Sequence, residues 1–281
     1  MNMEVKIAKD AGFCFGVKRA MKMAWNELEK SENGIFALGP LIHNKQAVSK
    51  YEERGLKTVE QVEVIPSNKS MIIRSHGVGE SVYSEAKEKS INVIDTTCPF
   101  VKKIHNIVKE YNDKNYKIIV IGDMKHPEVI GINGWCNNNA IIIKTLEQMN
   151  EIIFDNSKKY CVVAQTTINL TLYNNIVDKL SKEIENIEFY NTICSATKVR
   201  QQSAKELALD VDCMIVIGGR HSSNTQKLVD ICKEVVPTIA IETKLELNEE
   251  ELRKYKVVGV TAGASTPDWI ISEVIEFLEL I

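Results

Sequence analysis

Short apolar runs rich in valine and isoleucine recur along the whole chain, separated by segments with helical periodicity. These runs predict strands at GIFALG, MIIRSHG, INVIDTTC, KIIVIGD, AIIIKT, YCVVAQT, IEFYNTIC, CMIVIGG, TIAIET and KVVGVTAG. Most of them are apolar at successive positions, which is typical of parallel strands covered by helices on both faces. The periodicity predicts helices over 99–113, 168–186, 196–210, 222–235 and 267–280, and another directly after Cys14. This alternation predicts an α/β fold with parallel sheets.

The order strand, cysteine, helix occurs three times, with the cysteines Cys14, Cys98 and Cys194. A strand ending in glycine and then a histidine follow each cysteine, at offsets of 29, 28 and 27 residues: His43, His126 and His221. A further strand with small polar residues at its end follows at offsets of 61, 68 and 71 residues, with Ser75, Thr166 and Ser265. Three matches in one order indicate an internal repeat.

The repeat predicts three similar α/β units with small parallel sheets, at 15–97, 98–192 and 193–281, with an N-terminal strand in residues 1–14 joined to the third. Ligands of open α/β sheets bind beyond the carboxyl ends of the strands, and the repeated residues all follow such ends. We therefore expect a pseudo-threefold arrangement of the units around a central cavity.

Three converging cysteines would form a metal site. A helix N-terminus behind each thiol favours the thiolate, and three protein ligands leave one metal position open, as in catalytic sites. Zinc and an iron–sulfur cluster both fit this ligand set. Of the other cysteines, Cys161 and Cys213 lie inside predicted strands and are assigned to the core. Cys232 lies within a helix and Cys136 near a helix end, and both are assigned structural positions.

Polar residues follow the same strand ends as the repeated histidines. His43, His76, His126 and His221 accompany Ser222, Ser223, Asn224, Ser265 and Thr266. Together with helix N-termini, these side chains predict a cradle for phosphate or diphosphate. The chain has no Walker A and no G-x-G-x-x-G pattern, which favours a small phosphorylated compound over a nucleotide. His105 falls within a predicted helix and is assigned to packing or to the surface.

Glu128 stands at a strand-to-helix turn, where two interpretations are open. It is either a solvated first-turn acid that favours the helix dipole, or a proton donor that faces the cavity. Thr166, in the QTT segment of the same unit, would be the neutral hydroxyl partner of such a donor.

The formal net charge of −3 lacks the basic excess of a nucleic-acid-binding protein. The N-terminal segment does not have the apolar core of a signal peptide, and no apolar run is long enough for a membrane span. We therefore expect a cytoplasmic enzyme that binds neither nucleic acid nor membrane. Cysteines at repeated positions in a reducing compartment indicate metal ligands or catalytic groups rather than disulfides.

Taken together, the motifs GFCFGVKRA, LGPLIHN, RSHGV, DTTCPFV, HPEVIG, QTT, NTICSAT, SSNT and TAGAST resemble the 4-hydroxy-3-methylbut-2-enyl diphosphate reductases, the LytB/IspH family. The resemblance covers essentially the whole chain, and the order of the motifs matches. It implies a three-unit α/β fold and an oxidoreductase for the last step of the methylerythritol phosphate route to isoprenoids. The substrate would lose its allylic hydroxyl as water and yield isopentenyl diphosphate and dimethylallyl diphosphate.

The resemblance also implies roles for single residues. An open-site [4Fe–4S] cluster would be held by Cys14, Cys98 and Cys194. Glu128 would donate the proton together with Thr166. The substrate would contact His43, His76, His126, Thr166, Ser222, Ser223, Asn224 and Ser265. Ferredoxin or flavodoxin would supply the electrons, and we expect a monomer.

Other functions remain open at this point. Another iron–sulfur dehydratase with an open iron would need more arginine for carboxylate recognition than Arg74 and Arg220 provide. A metal-dependent ligand sensor would need an output surface, such as a basic recognition helix, and none is evident. A zinc hydrolase could use the same three cysteines.

Overall fold

A computed structural model describes residues 3–31 and 34–281. The strands are Glu4–Ile7 (β1), Ile35–Leu38 (β2), Leu56–Val59 (β3), Ser70–Ile73 (β4), Asn92–Asp95 (β5), Lys117–Ile121 (β6), Ile141–Ile143 (β7), Tyr160–Ala164 (β8), Ile187–Phe189 (β9), Cys213–Ile217 (β10), Thr238–Ile241 (β11) and Val257–Ala262 (β12).

The α-helices are Phe15–Lys30 (α1), Lys45–Glu52 (α2), Glu80–Glu88 (α3), Pro99–Asp113 (α4), Pro127–Asn133 (α5), Leu146–Asn150 (α6), Leu170–Glu183 (α7), Ser195–Ala208 (α8), Ser223–Lys233 (α9), Glu249–Leu252 (α10) and Asp268–Glu279 (α11). Short 3₁₀ helices cover Val62–Val64, Gly134–Cys136 and Lys244–Glu246.

The strands form three parallel sheets with one common topology. The strand orders are β3-β2-β4-β5, β7-β6-β8-β9 and β11-β10-β12-β1. The N-terminal strand β1 pairs in parallel with β12. It thus takes the position in the third sheet that β5 and β9 take in the first and second. Three small parallel sheets flanked by helices confirm the predicted fold class.

The second sheet illustrates why the strands are apolar at successive positions. Successive side chains of a strand point to opposite faces of the sheet. In β6, Ile119 packs with Ile176 of α7 on one face, and Ile118 packs with Ile104 of α4 on the other. Helices therefore cover both faces, and each fully buried isoleucine stabilises the fold by roughly 1.5–3 kcal/mol relative to an exposed one.

All the strands predicted from apolar runs are present, but the pattern did not predict β3. This strand reads LKTV, with Leu56 buried and Lys57 exposed, and it lies at the edge of its sheet. Edge strands have one neighbour and a partly solvated face, so their apolar signal is weak.

Backbone contacts group the chain into two compact units. One contains the third sheet and comprises the described residues up to Lys18, with Ile42–Glu53 and Ser195–Ile281. The other contains the first and second sheets and comprises Arg19–Leu41 and Arg54–Cys194. The boundaries predicted for three units stay a prediction, and residues 1 and 2 of the predicted N-terminal segment lie outside the described part.

Among the described residues, no helix combines the length and the apolar character needed to cross a membrane.

Candidate active site

Two cysteines of the repeat occupy equivalent turns in the unit that holds the first and second sheets. Cys98 follows β5 and is the N-cap residue of α4, with Pro99 in the first turn of that helix. Its backbone N–H donates to the carbonyl of Ser75 at 3.0 Å. Cys194 follows β9, and its backbone N–H donates to the carbonyl of Thr166 at 3.0 Å. The backbone of each cysteine is thereby hydrogen-bonded to a residue just after the neighbouring strand, β4 for Cys98 and β8 for Cys194.

Cys14 has the equivalent position in the unit that holds the third sheet. It follows β1, and its backbone N–H donates to the carbonyl of Ala264 at 3.4 Å, just beyond the end of β12. Its sulfur accepts the backbone N–H of Val17 in the first turn of α1 at 3.5 Å. The strand-cysteine-helix motif thus corresponds to one backbone arrangement that occurs at all three sheets.

The remaining cysteines differ from these three in burial. The thiols of Cys14, Cys98 and Cys194 are half-buried, and none of the seven cysteines forms a disulfide. The other four, which the sequence assigned to the core or to structural positions, are all buried: Cys136, Cys161, Cys213 and Cys232. Burial raises the pKa of Cys161 to about 12 and those of Cys213 and Cys232 to about 11. It raises the pKa of Cys136 as well, so all four remain protonated thiols.

Arg200 is a residue of this region that the sequence analysis missed. It lies in α8 and is only 4% exposed. Its Nη2 donates to the carbonyl of Gly12 at 2.8 Å, and its Nη1 donates to the carbonyl of Ala196 at 3.3 Å. The guanidinium therefore holds the backbone two residues before Cys14. No sequence signal pointed to it, because helical arginines are usually exposed.

Helix α9 begins with a cluster of small polar side chains. Ser222 is its N-cap residue and accepts the backbone N–H of Thr225 at 3.3 Å. Asn224, in the first turn, is 5% exposed, and neither polar atom of its amide has a hydrogen-bond partner among the described residues. Buried amides are normally hydrogen-bonded, so this side chain indicates a position for a polar ligand.

The other predicted contacts of this unit lie at the same sheet edge. Ser265 follows β12, which pairs with β10, and β10 leads into the turn before α9. The carbonyl oxygen of His43 would lie 2.2 Å from a methyl group on Gly219, so the His43 segment runs directly against this turn. His221 is exposed at the same turn. Helix N–H groups, hydroxyls and an amide at one edge form an arrangement suited to a phosphate group.

His76 and His126 meet in the other unit. Their rings are 5.5 Å apart between centroids, with an interplanar angle of 85°. His126 is the N-cap residue of α5, and its Nδ1 accepts the backbone N–H of Glu128 at 3.1 Å. An accepting Nδ1 leaves the proton of the neutral ring on Nε2, which can donate to an anionic oxygen.

Glu128 is not the solvated first-turn acid that the sequence left open, because it is only 2% exposed. Its Oε1 accepts the backbone N–H of Thr166 at 2.6 Å, and its Oε2 accepts the Thr166 hydroxyl at 2.7 Å. Burial raises its pKa to about 7, outweighing the two hydrogen bonds from Thr166, which lower it. A carboxyl group with this pKa can hold or release a proton at neutral pH.

We expect the variant Glu128→Gln to gain stability over the parent as the pH rises from 5 to 8. The raised pKa means that the folded state favours the neutral carboxyl group. The stability that this neutral group contributes is therefore fully present below the ordinary pKa of 4.5 and is lost as the pH rises through about 7. The shift corresponds to about 3 kcal/mol, because each pKa unit represents about 1.4 kcal/mol. The free energy of unfolding of both metal-free proteins, measured by urea titration, tests this. A difference that stays constant with pH would contradict the raised pKa.

Comparisons with known proteins agree with the resemblance inferred from the motifs. The family model described as "LytB protein" matches residues 5–279. A curated relative from Clostridioides difficile (strain 630), named 4-hydroxy-3-methylbut-2-enyl diphosphate reductase, is 71% identical over 99% of this chain and 99% of its own. The solved structure of the E-1-hydroxy-2-methyl-but-2-enyl-4-diphosphate reductase from Plasmodium falciparum matches 100% of this chain and 88% of its own, with a TM-score of 0.92 and 30% identity.

A second solved structure is that of an (E)-4-hydroxy-3-methyl-but-2-enyl diphosphate reductase, described as the terminal enzyme of the non-mevalonate pathway. It is 41% identical and matches 99% of this chain and 100% of its own, with a TM-score of 0.73. These similarities extend over the whole chain and confirm the expectation of an enzyme of the oxidoreductase class. From the match over residues 5–279 and the close relatives, we conclude that the chain belongs to the LytB protein family.

Proposed function

We propose that the chain catalyses the reductive dehydroxylation of (E)-4-hydroxy-3-methylbut-2-enyl diphosphate to isopentenyl diphosphate and dimethylallyl diphosphate. One C–O bond breaks and one C–H bond forms. Two electrons and two protons are consumed, and the oxygen leaves as water. Ferredoxin or flavodoxin supplies the electrons, and the enzyme acts as a monomer in the reducing cytoplasm, where its thiols stay reduced.

The observation that carries this proposal is the set of hydrogen bonds made by Thr166. Its N–H and hydroxyl both donate to the Glu128 carboxyl group, and its carbonyl accepts the backbone N–H of Cys194. Thr166 is thus hydrogen-bonded both to a candidate proton donor, Glu128, and to a candidate metal ligand, Cys194. A dehydroxylation needs this combination, because hydroxide is a poor leaving group without a proton or a Lewis acid.

The cysteines fit a [4Fe–4S] cluster with one open iron. The cluster would be held by Cys14, Cys98 and Cys194, whose thiols are half-buried at equivalent turns, whereas the four buried cysteines keep their protons. When bound, the cluster would supply the electrons and a Lewis-acidic iron, which no side chain can provide. Three thiolates leave one cluster position without a protein ligand, which suits substrate binding.

The protein's own residues would bind the substrate and deliver the proton. Ser222, Ser223, Asn224 and Ser265, with His43, His76 and His126, would hold the diphosphate through neutral donors and helix N–H groups. Glu128 would hold the proton that the departing oxygen needs. The Thr166 hydroxyl, 2.7 Å from Oε2, would orient this carboxyl group and can relay its proton.

We expect Asn224→Ala to weaken diphosphate binding by roughly 10-fold or more. A hydrogen bond from the side-chain amide to a charged phosphate oxygen contributes about 1.5–3 kcal/mol, and alanine cannot form it. Isothermal titration with inorganic pyrophosphate measures the dissociation constant without turnover. Asn248→Ala is the matched control, since that asparagine caps α10, whose first three residues are exposed to solvent. Equal affinity of Asn224→Ala and the parent would remove Asn224 from the diphosphate site.

The decisive test of the function is an anaerobic assay of the purified protein with a reduced viologen dye and the hydroxylated diphosphate. The expected result is a mixture of the two C5 diphosphates, from a brown protein that contains about four irons and loses activity in air. A colourless, zinc-containing protein that hydrolyses the diphosphate would instead support the zinc-hydrolase alternative.

A further inference from the structure

Two backbone segments touch directly in the unit that holds the first and second sheets. One is Gly77–Gly79, just after β4, and the other is the end of α5 with the 3₁₀ helix that follows. A methyl group on Gly134 would lie 2.5 Å from the Cα of Gly79. A methyl group on Gly131 would lie 3.3 Å from the carbonyl carbon and oxygen of Gly77. We call this the glycine contact: Gly77, Gly79, Gly131 and Gly134.

Two aromatic rings hold the glycine contact in place. The Trp135 indole N–H donates to the carbonyl of Val78 at 2.9 Å, which joins the two segments. The ring of His105 stacks on Trp135, with centroids 5.2 Å apart and an interplanar angle of 23°. A methyl group on Gly77 would lie 2.5 Å from Cε1 of His105. His105, 2% exposed, is therefore a packing residue, and burial lowers its pKa to about 4, so the ring stays neutral.

The glycine contact lies next to residues of the proposed active site on both sides. His76 directly precedes Gly77. On the other side, Glu128 precedes Gly131 by three residues, a spacing that puts both on one face of α5. His126 caps the same helix and contacts the His76 ring. A shift between the two segments would therefore change the position of His76 relative to both His126 and Glu128.

We propose that the glycine contact and Trp135 are positioning residues that set the distance between His76 and the His126–Glu128 pair. This inference rests on the proposed function for its effect on turnover. The physical reason is close approach, since only glycine lets two backbones touch at this separation. Misplacement of a reacting group by about 1 Å can reduce a rate by about 100-fold.

The test compares Gly134→Ala with Gly259→Ala. Both add one methyl group at a crowded position, but Gly259 lies in β12, where the methyl would meet the Met214 sulfur at 2.4 Å. We expect Gly134→Ala to lower kcat by about 10- to 100-fold and to raise KM, since the histidines also bind the diphosphate. Gly259→Ala should lose stability while keeping kcat and KM per folded molecule within about twofold. If both variants lost kcat and gained KM equally, the effect of Gly134→Ala would reflect general packing, and the proposed positioning role would be overturned.

A second readout does not depend on activity. In selectively ¹⁵N,¹³C-histidine-labelled metal-free protein, Gly134→Ala should shift the ring resonances of both His76 and His126, and Gly259→Ala should leave them in place. Trp135→Phe keeps an aromatic ring at this position, removes the bond to Val78 together with part of the indole surface, and should shift the same resonances by less. Unmoved resonances in both Gly134→Ala and Trp135→Phe would overturn the proposal. Shifted resonances in a protein whose parent form does not reduce the diphosphate would support the positioning and refute the proposed function.

Discussion

Cys98→Ala is expected to abolish reductase activity and to remove the cluster from the purified protein. Three thiolates are the smallest set that can hold a [4Fe–4S] cluster with one open iron, so the loss of one leaves too few ligands. Activity should fall by more than about 100-fold, because loss of even an outer hydrogen-bonding partner of a metal ligand typically costs 10- to 100-fold. Iron and sulfide content per chain, with the visible absorption of the anaerobic protein, measure the cluster directly.

Cys213→Ala is the matched control. Cys213 is fully buried at the start of β10, at the opposite end of that strand from the turn before α9. Its loss should cost about 1 kcal/mol of stability through a small cavity and leave iron content and kcat unchanged. Full iron content in Cys98→Ala would remove this residue from the ligand set, and loss of iron in Cys213→Ala would indicate a site other than the one proposed.

Glu128→Gln is expected to lower kcat by about 10²- to 10⁴-fold with little change in KM. Glutamine keeps the size of the side chain and can accept the Thr166 N–H, but it has no acidic proton to deliver. In the parent, kcat should decline as the pH rises above about 7, because the carboxyl group acts in its protonated form. This decline should disappear in the variant, whose remaining rate does not depend on a carboxyl group at this position.

The matched control for this change is Glu147→Gln. Glu147 also stands in the first turn of a helix, α6, but it is exposed to solvent. Its variant should keep kcat within about twofold. If Glu128→Gln turned over at the parent rate, another group would have to supply the proton, and the carboxyl would have a purely structural role.

The sequence alone predicted the strands and the repeated cysteines because both signals are local. Burial on both faces requires continuous apolar runs such as KIIVI and CMIVI, so the central strands β6 and β10 are readable without knowledge of their neighbours. Each instance of the strand-cysteine-helix order occupies only a short segment of the chain, so it can be recognised without knowledge of the fold. The position of β1 in the third sheet followed from this recurrence, since its cysteine has the same place in the order.

Only the tertiary structure decided the state of Glu128 and the identity of its supporting residues. Burial raises the pKa of Glu128, and its hydrogen bonds come from Thr166, which lies 38 residues further along the chain. Arg200 and Gly12 meet across 188 residues, and the glycine contact joins segments after different strands. Desolvation and close backbone approach depend on which distant segments pack together, and no local pattern encodes them. From sequence, Glu128 could equally have been a solvated acid at the start of a helix, whereas in the fold it is a buried carboxyl that accepts hydrogen bonds from Thr166, just after β8, and has a pKa of about 7.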